Sequence, residues 1–238
     1  MLYSFFIAVF FVFFTSNASY NPDYPQFYFP YYSQAGQDKF LNEEIFHGKR
    51  NGTFIDVGAH DGISYSNTYY FEKELGWKGI CIEPHPKNFK LLSQNRNASC
   101  YQVCAGNKND TVYFLEVDGA PEMLSGIYDF YDPQHLARIQ YEITVNGGSS
   151  NLIQLPLRTI SSILDEQQLY TIDFISIDVE GGEIAVLEGI DFNRFYIKYI
   201  LIENNQYHGF FDTIKTFLEK YGYKHLCSVK HDELFIKK

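Results

Sequence analysis

A carboxylate and two glycines stand together where a short apolar run ends. The run Phe54 to Val57 contains Asp56, and Gly58 and Gly62 follow it. Such a run predicts a buried parallel strand, after which the chain turns sharply and glycines permit positive φ and close approach of the backbone to a ligand. A carboxylate at the end of a buried strand is costly unless a cation or polar group meets it. These residues predict a ligand pocket, although many turns of this kind carry two glycines without one.

A second acid follows at the spacing expected for a nucleoside site. Gly79 to Ile82 forms another apolar run, and Glu83 and Pro84 come directly after it. Neighbouring parallel strands bring their carboxyl ends to one crevice, where an acid about twenty residues after the glycine turn accepts hydrogen bonds from ribose hydroxyls. Two strands and two acids at one crevice therefore predict a site for a nucleoside cofactor.

A third apolar run ends in a denser group of acids. Residues 172–177 lead into Asp178, Glu180, two glycines and Glu183. Asp178 and Glu180 point to the same side if the strand stays extended. Two carboxylates this close raise the pKa of one of them, which favours a proton acceptor that works near neutral pH. Glu183 is expected to stabilise the first turn of the following helix.

Together these runs resemble the class I S-adenosylmethionine-dependent methyltransferases, and in particular the FkbM family. The Asp-Val-Glu-Gly-x-Glu pattern at 178–183 is similar to the family's fourth-strand motif. The run at 33–38 is similar to the segment that precedes the domain, and it is expected either to cover the cofactor or only to cap a helix that continues through Phe46. The resemblance spans about residue 32 to the end. It implies an α/β doubly wound, Rossmann-like class I methyltransferase fold, with a mostly parallel seven-stranded sheet and an antiparallel C-terminal edge.

The resemblance also implies S-adenosylmethionine as the cofactor and a set of residues that hold it. Glu83 is expected to bond the ribose, Asp56 to organise the turn at the methionine end, and Ala105 to lie near the adenine. The helix that follows Asn67 would direct its amino terminus at the methionine carboxylate. The full expected set is Gln37, Asp56, Gly58, Ala59, His60, Gly62, Asn67, Glu83, Pro84, Ala105 and Asp178.

Methyl transfer to a hydroxyl requires alignment of the acceptor oxygen and a group that takes its proton. We assign the base to Glu180 and an orienting role to Asp178. His208, just past the neighbouring strand, is the reserve candidate. A divalent metal held by Asp178, Glu180 and Glu203 is a lesser alternative. The expected acceptor is a hydroxyl of a sugar or glycan, since the family is associated with O-methylation, although a fold does not fix a substrate.

Two other functions stay open on the sequence. A nicotinamide-dependent oxidoreductase also has glycines after one strand and an acid after the next, but the G-x-G-x-x-G spacing is missing. A catalytically silent, membrane-tethered trafficking or adaptor protein with this domain is the other alternative. The intact acids Asp56, Glu83, Asp178 and Glu180 favour retained cofactor binding instead.

The elements that must position these residues follow from periodicity and capping. Helices are predicted after Ser66 as far as Gly76 and at 86–94, 159–169, 184–190 and 210–218; further strands are predicted at 99–103, 111–116, 152–157, 199–203, 223–229 and 233–237. An insertion at about 118–150 is aromatic and acidic. By the resemblance, it would help form the acceptor side of the pocket.

Composition limits the class of protein. A chain of 238 residues that is 45% apolar fits one catalytic domain, at 33–238, with a leader in front. A net charge of −10 and a pI near 5.1 argue against nonspecific nucleic-acid binding, which needs clustered Lys and Arg. The expected partner is a small-molecule or glycan acceptor, with membrane contact only through an uncleaved amino-terminal segment.

The first residues predict a route through the secretory pathway. Within residues 1–19 an apolar run is followed by small residues, which is typical of a signal peptide. Because no Lys or Arg precedes the apolar run, a single-pass membrane anchor is the alternative. Residues 20–32, rich in Tyr and Pro, predict a linker. Glycosylation acceptor patterns begin at Asn17, Asn51, Asn97 and Asn109. They favour a glycoprotein of the ER or Golgi lumen or a secreted one.

The four cysteines, Cys81, Cys100, Cys104 and Cys227, have no metal-ligand spacing. We expect free, mostly buried thiols. Cys81 with Cys104, at neighbouring strand ends, is the one pair that the sequence marks for inspection.

Overall fold

The computed structural model describes residues 31–204 and 210–238. The predicted leader, the linker apart from its last two residues, and His208 lie outside the described residues. No helix within the described ranges is long and apolar enough to cross a membrane.

Two β-sheets organise the described residues. The strands are β1 (Thr53–Val57), β2 (Lys78–Ile82), β3 (Ser99–Tyr101), β4 (Cys104–Ala105), β5 (Asp110–Gly119), β6 (Gly126–Ile127), β7 (Gly148–Arg158), β8 (Thr171–Ile177), β9 (Tyr196–Glu203), β10 (Tyr223–Val229) and β11 (Asp232–Lys237). The larger sheet has the order β10-β11-β9-β8-β1-β2-β3, with β11 antiparallel to both of its neighbours and the other pairs parallel. This confirms the predicted doubly wound, seven-stranded sheet with an antiparallel edge.

The central strands are apolar because helices cover both faces of the sheet. Successive side chains alternate between the faces, so Ile55 and Val57 enter one core cluster and Phe54 enters the other. Strand order reverses direction between β1 and β8. The carboxyl ends of these two strands therefore open a crevice at the switch point, where ligands of this fold class bind.

The helices are α1 (Gln37–Phe40), α2 (Tyr69–Leu75), α3 (Pro86–Asn95), α4 (Pro133–Asn146), α5 (Ile160–Gln167), α6 (Glu183–Glu188) and α7 (Phe210–Glu219). A π-helical segment, Leu41–Phe46, continues α1 where the sequence predicts one plain helix. Capping follows the sequence elsewhere. The Thr159 side chain accepts from the Ser162 amide at 3.1 Å, and Gly76 ends α2 at a φ of 69°.

A second sheet, with the order β4-β7-β5-β6, is built around the insertion. The strands predicted at 111–116 and 152–157 lie within the longer strands β5 and β7, which pair with each other from Asp110–Leu157 to Gly119–Gly148. The strand predicted at 99–103 is wrong in its second half. β3 ends at Tyr101, and Cys104 and Ala105 turn away to pair with β7.

All four cysteines are free thiols. The neighbour of Cys81 is Cys100, which lies opposite it on the parallel strand β3. Cys104 belongs to the second sheet, because the chain breaks after β3. The marked pair, Cys81 with Cys104, is therefore replaced by Cys81 with Cys100.

A buried ion-pair network centred on Arg96 supports the glycine turn from behind. The guanidinium donates from Nε to Glu72 at 2.6 Å, from Nη2 to the Thr68 hydroxyl at 2.7 Å and from Nη1 to the Gly62 carbonyl at 3.1 Å. It also lies 3.6 Å from Asp56, which accepts from the Thr68 hydroxyl at 2.5 Å. The cation and hydroxyl that a buried Asp56 requires thus come from the protein itself.

Arg96→Ala is expected to lower the free energy of unfolding by about 3–5 kcal/mol, because it leaves two carboxylates without their buried cation. Arg194→Ala is the matched control. Its ion pair with Asp165 is exposed to solvent, and its loss is expected to change the free energy of unfolding far less. Urea unfolding of both variants compares the two values, and equal losses would contradict the central role of Arg96.

Candidate functional site

A cavity lies at the carboxyl ends of β1, β2 and β8, and the second sheet covers it. It holds about 740 Å³ of space that no atom fills, counted out to its open mouth. Its lining includes Val57, Gly58, His60, Ile82, Glu83, Pro84, His85, Asn88, Cys104, Ala105, Phe114, Glu122, Met123, Ser125, Gly126, Ile127, Phe130, Asp178, Val179, Glu180 and Gly182.

The turn after β1 is pressed against the loop after β8. Gly58 has a φ of 87°, and a Cβ there would stand 1.8 Å from the Asp178 carbonyl oxygen. The amides of Gly58 and Ala59 both donate to the Ile82 carbonyl at 3.0 Å. Only glycine fits this position, and the close approach brings the ends of three strands around one space.

Glu83 lies at the floor of the cavity with both carboxylate oxygens engaged. One accepts from the His60 amide and the other from the His85 amide, each at 2.8 Å. Burial raises the pKa of Glu83 to about 7, against the lowering effect of these two bonds. The carboxylate is therefore fixed in direction, and each oxygen has a second lone pair for a ligand hydroxyl.

Two polar side chains beside Glu83 were not predicted from the sequence. His85 and Asn88 line the cavity, are at most 2% exposed, and leave Nδ1 and Oδ1 without a protein partner. Buried polar atoms of this kind are usually satisfied by a ligand or water. The Pro84-His85-Pro86 run just before a helix was the available signal, since it places residues 85 and 88 on the helix end that faces the crevice.

The loop after β8 does not stay extended, so the expected alternation of Asp178 and Glu180 is wrong. β8 ends at Ile177, and Glu180 has a φ of 55°. Both side chains nevertheless line the cavity. Glu183 does more than stabilise the first turn of α6. It is fully buried, and one of its carboxylate oxygens accepts from the amides of Val179 and Gly181 at 3.3 and 3.1 Å, which holds the loop in shape.

The carboxyl groups at this end of the cavity are poorly hydrated and close together. Burial and the neighbouring carboxylates raise the pKa of Glu180 to about 8 and that of Glu203 to about 8. Asp178 and Glu203 share a hydrogen bond, and burial and Glu203 raise the pKa of Asp178 well above its usual value. The described residues hold no group of three that could bind a metal ion, so the metal alternative finds no support among them.

The insertion supplies the outer wall of the cavity. The Phe130 ring lies over Gly182, where a Cβ would meet it at 2.9 Å. Glu122 pairs with Lys87 of α3 at 2.8 Å and lies 3.4 Å from the His60 ring. The insertion thus touches both the glycine turn and the acidic loop.

The structure brings together Gly58, His60, Glu83, Pro84, Ala105, Asp178 and Glu180, which all line the cavity. The other predicted residues that the structure describes lie around it. Asp56 and Gly62 contact the Arg96 network, and Ala59 is buried in the turn. Asn67 donates to the Ser176 hydroxyl at 3.0 Å, and Gln37 donates to Asp232 at 2.7 Å. The run at 33–38 is held together by Asp38, which accepts from the amide and the hydroxyl of Ser33, and the N-cap of α1, Gly36, has no side-chain cap.

Comparison with known proteins agrees with this geometry. The sequence matches the Methyltransferase FkbM domain over residues 56–225. It is 24% identical over 198 residues to methyltransferase sdnD of Sordaria araneosa, covering 73% of this chain and 74% of that protein. It is 23% identical over 210 residues to methyltransferase 1 of Beauveria bassiana, covering 78% and 80%.

Among solved structures, an FkbM methyltransferase from Methylobacillus flagellatus is similar at 15% identity and a TM-score of 0.48, covering 78% of this chain and 43% of that chain. A TehB-like S-adenosylmethionine-dependent methyltransferase from Corynebacterium glutamicum is similar at 12% identity and a TM-score of 0.44, covering 87% and 89%.

Fold and site define a class I methyltransferase, with the cavity at the switch point and an acid after each of β1's two neighbours. The chain belongs to the FkbM methyltransferase family, whose domain spans more than half of it. It is an S-adenosylmethionine-dependent methyltransferase.

Glu83→Ala is expected to weaken S-adenosylmethionine binding by about 1–3 kcal/mol, the cost of a charge-assisted bond in a buried site. Since the ionised carboxylate is the better acceptor and its pKa is about 7, affinity should also fall as pH drops below that value. Glu83→Gln should remove this pH dependence. Calorimetry measures both effects, with the exposed Glu74→Ala as control; unchanged affinity in Glu83→Ala would show that the ribose lies elsewhere.

Proposed function

We propose that this protein transfers a methyl group from S-adenosylmethionine to a hydroxyl, with a sugar or glycan as the acceptor. The observation that carries the proposal is that Glu83 and the Asp178–Glu180 pair line one cavity from the carboxyl ends of β2 and β8, the two neighbours of β1. One end offers a fixed acceptor for ribose hydroxyls, and the other offers carboxyl groups that can take a proton.

The residues present fit the cofactor. Glu83 is placed to accept from the ribose, Gly58 allows close backbone approach, and Asn88 and His85 offer buried polar atoms without partners. When bound, the cofactor supplies a methyl group on a positively charged sulfur that leaves as a neutral thioether. The carboxyl groups of Asp178 and Glu180 favour a positive charge in this end of the cavity, because burial makes their ionisation costly without one.

Glu180 is the proposed base and Asp178 the orienting group. A raised pKa near 8 suits a carboxylate that must accept a proton from a weakly acidic hydroxyl near neutral pH. The acceptor side is formed by the insertion. Phe130 and Tyr128 there are 37% and 40% exposed, and their rings offer apolar faces against which a sugar can stack.

Glu180→Gln is expected to keep cofactor affinity and to lower turnover roughly 10²–10⁴-fold, the usual contribution of a general base. Calorimetry and a transfer assay separate the two quantities. Normal turnover in Glu180→Gln together with loss in His208→Ala would move the base to His208. Loss of wild-type activity on adding a chelator would favour the metal alternative instead.

The acceptor is identified by incubating the full chain with labelled S-adenosylmethionine and a glycan array, followed by mass spectrometry of the products. A parallel set of amines and carboxylic acids tests the class of acceptor. Label on a hydroxyl supports the proposal, whereas label only on nitrogen or a carboxylate contradicts it.

We propose that the chain enters the secretory pathway and is glycosylated. Asn97 is the best acceptor because it is exposed and lies just after α3. The Asn109 side chain is engaged by the Thr159 amide and the Ser162 hydroxyl, and Asn51 has a φ of 55° directly before β1.

In a secretory host, Asn97→Gln is expected to remove one glycan, seen as a mass step on peptide-N-glycosidase treatment. Asn107→Gln, outside any acceptor pattern, is the control and should change nothing. An unglycosylated, full-length product in the cytosol of a native cell would overturn the proposed compartment.

A further inference from the structure

Two thiols lie opposite each other at one edge of the larger sheet. Cys81 of β2 and Cys100 of β3 are partners in the parallel register. Both side chains pack into the core cluster that contains Phe54 and Leu92, so they point to the same face of the sheet. Neighbouring strands lie roughly 4.8 Å apart, and the Cα atoms of a disulfide usually lie about 4.4–6.8 Å apart. The spacing of the two backbones therefore permits a disulfide here.

The other two cysteines lie elsewhere in the fold. Cys104 belongs to the second sheet, and Cys227 lies in β10 at the opposite edge of the larger sheet. The strand register thus selects one pair among the four thiols.

The strand that carries Cys100 is free to shift by a small distance. β3 has three residues and stands last in the order of the sheet, and the chain leaves it after Tyr101 for the second sheet. An edge strand is paired on one side only. A small movement of β3 can therefore bring the two sulfurs to bonding distance without disturbing the central strands.

The two thiols differ in the way that thiol–disulfide exchange requires. Cys100 is partly exposed, whereas Cys81 is fully buried. A hydrogen bond from the Cys81 thiol to the thiolate form of Cys100, aided by the Arg96 guanidinium, lowers the pKa of Cys100 against the effect of burial. The thiolate is the attacking form, so Cys100 is the thiol that reacts first with a small disulfide.

We propose that Cys81 and Cys100 form a reversible disulfide that joins β2 to β3, with a low-molecular-weight disulfide such as oxidised glutathione as the oxidant. The Cys100 thiolate attacks one sulfur of the oxidant, whose S–S bond breaks, and one glutathione thiolate leaves. The Cys81 thiol then gives its proton to water, its sulfur attacks the Cys100 sulfur of the mixed disulfide, and the second glutathione thiolate leaves. The protein loses two electrons and two protons, and the oxidant takes up both to become two thiols.

The disulfide would close a loop of chain on the cofactor side of the cavity. The segment between the two cysteines, residues 82–99, carries Glu83 and Asn88 at the cavity and Arg96 in the network behind the glycine turn. A cross-link at the ends of this segment limits its freedom in the unfolded chain, which stabilises the folded state. In the secretory route proposed above, an oxidising lumen favours the bonded form.

Peptide mapping of the full chain tests the bond directly. The chain is equilibrated with mixtures of reduced and oxidised glutathione, its free thiols are alkylated, any glycan is removed, and it is digested with trypsin without reduction. Cleavage after Lys and Arg leaves Cys81 in the peptide 79–87, and Cys100 together with Cys104 in the peptide 97–108. As the share of oxidised glutathione rises, these two peptides should be recovered joined, and dithiothreitol should separate them.

Two variants identify the sulfur that takes part. Cys100→Ala should abolish the joined peptides, whereas Cys104→Ala, the matched control in the same peptide, should keep them. Four alkylated cysteines at every ratio of oxidised to reduced glutathione contradict the proposal. A joined pair that survives Cys100→Ala, or a glutathione adduct on Cys100 that never passes to Cys81, also contradicts it.

Thermal unfolding gives a second readout. The oxidised wild type should melt about 5–10 °C above the reduced wild type, the effect of closing a loop of this length in a chain of this size. Cys100→Ala should melt at the same temperature with and without reductant, and Cys227→Ala should keep the difference. Equal melting temperatures of the oxidised and the reduced wild type would overturn the stabilising role of the bond. Neither measurement uses an acceptor, so the outcome is independent of the proposed function.

Discussion

The site depends on one close contact between two backbones. Gly58 approaches the Asp178 carbonyl so closely that no side chain fits between them. That contact joins the turn after β1 to the loop after β8, two segments far apart in the chain. We call this backbone contact between Gly58 and Asp178 the Gly58 seam. The cavity lies around it, with Glu83 on one side and the acidic loop after β8 on the other. Because backbone atoms form the seam, its geometry tolerates no larger residue at position 58, whatever the ligand.

Much of the larger sheet and about half of the site follow from the sequence. The runs before Asp56, Glu83 and Asp178 are short and strongly apolar. Such runs are typical of parallel strands that are buried on both faces, so few other structures fit them. The acids at the ends of these runs were predicted to belong to a site, because a carboxylate at the end of a buried strand is costly unless a cation or polar group meets it. Gly58, His60 and Glu83 line the cavity at the ends of these strands, and Ala105 reaches it from the second sheet.

The remainder depends on long-range packing that periodicity does not encode. Asp56 resembles a ligand residue in sequence, but Arg96 and Thr68 of other elements already engage it. Glu180 departs from the strand because Gly181 and the buried Glu183 allow a left-handed turn there. Nothing in the local sequence pattern of the insertion indicates that the antiparallel pair of β5 and β7 covers the cavity. That arrangement follows from a short break after β3, which sends Cys104 and Ala105 to the second sheet.

The second sheet also affects how the chain can reach its fold. β1 must pair with β8, and Phe54 lies opposite Phe174, so the pairing closes a long loop. Loop closure carries an entropic cost that grows with the length of free chain. The ladder between β5 and β7 lies inside this loop and joins segments that are near in sequence, so it can form first and shorten the free chain. The insertion that forms one wall of the cavity thus also lowers the entropic cost of bringing the turn after β1 to the loop after β8.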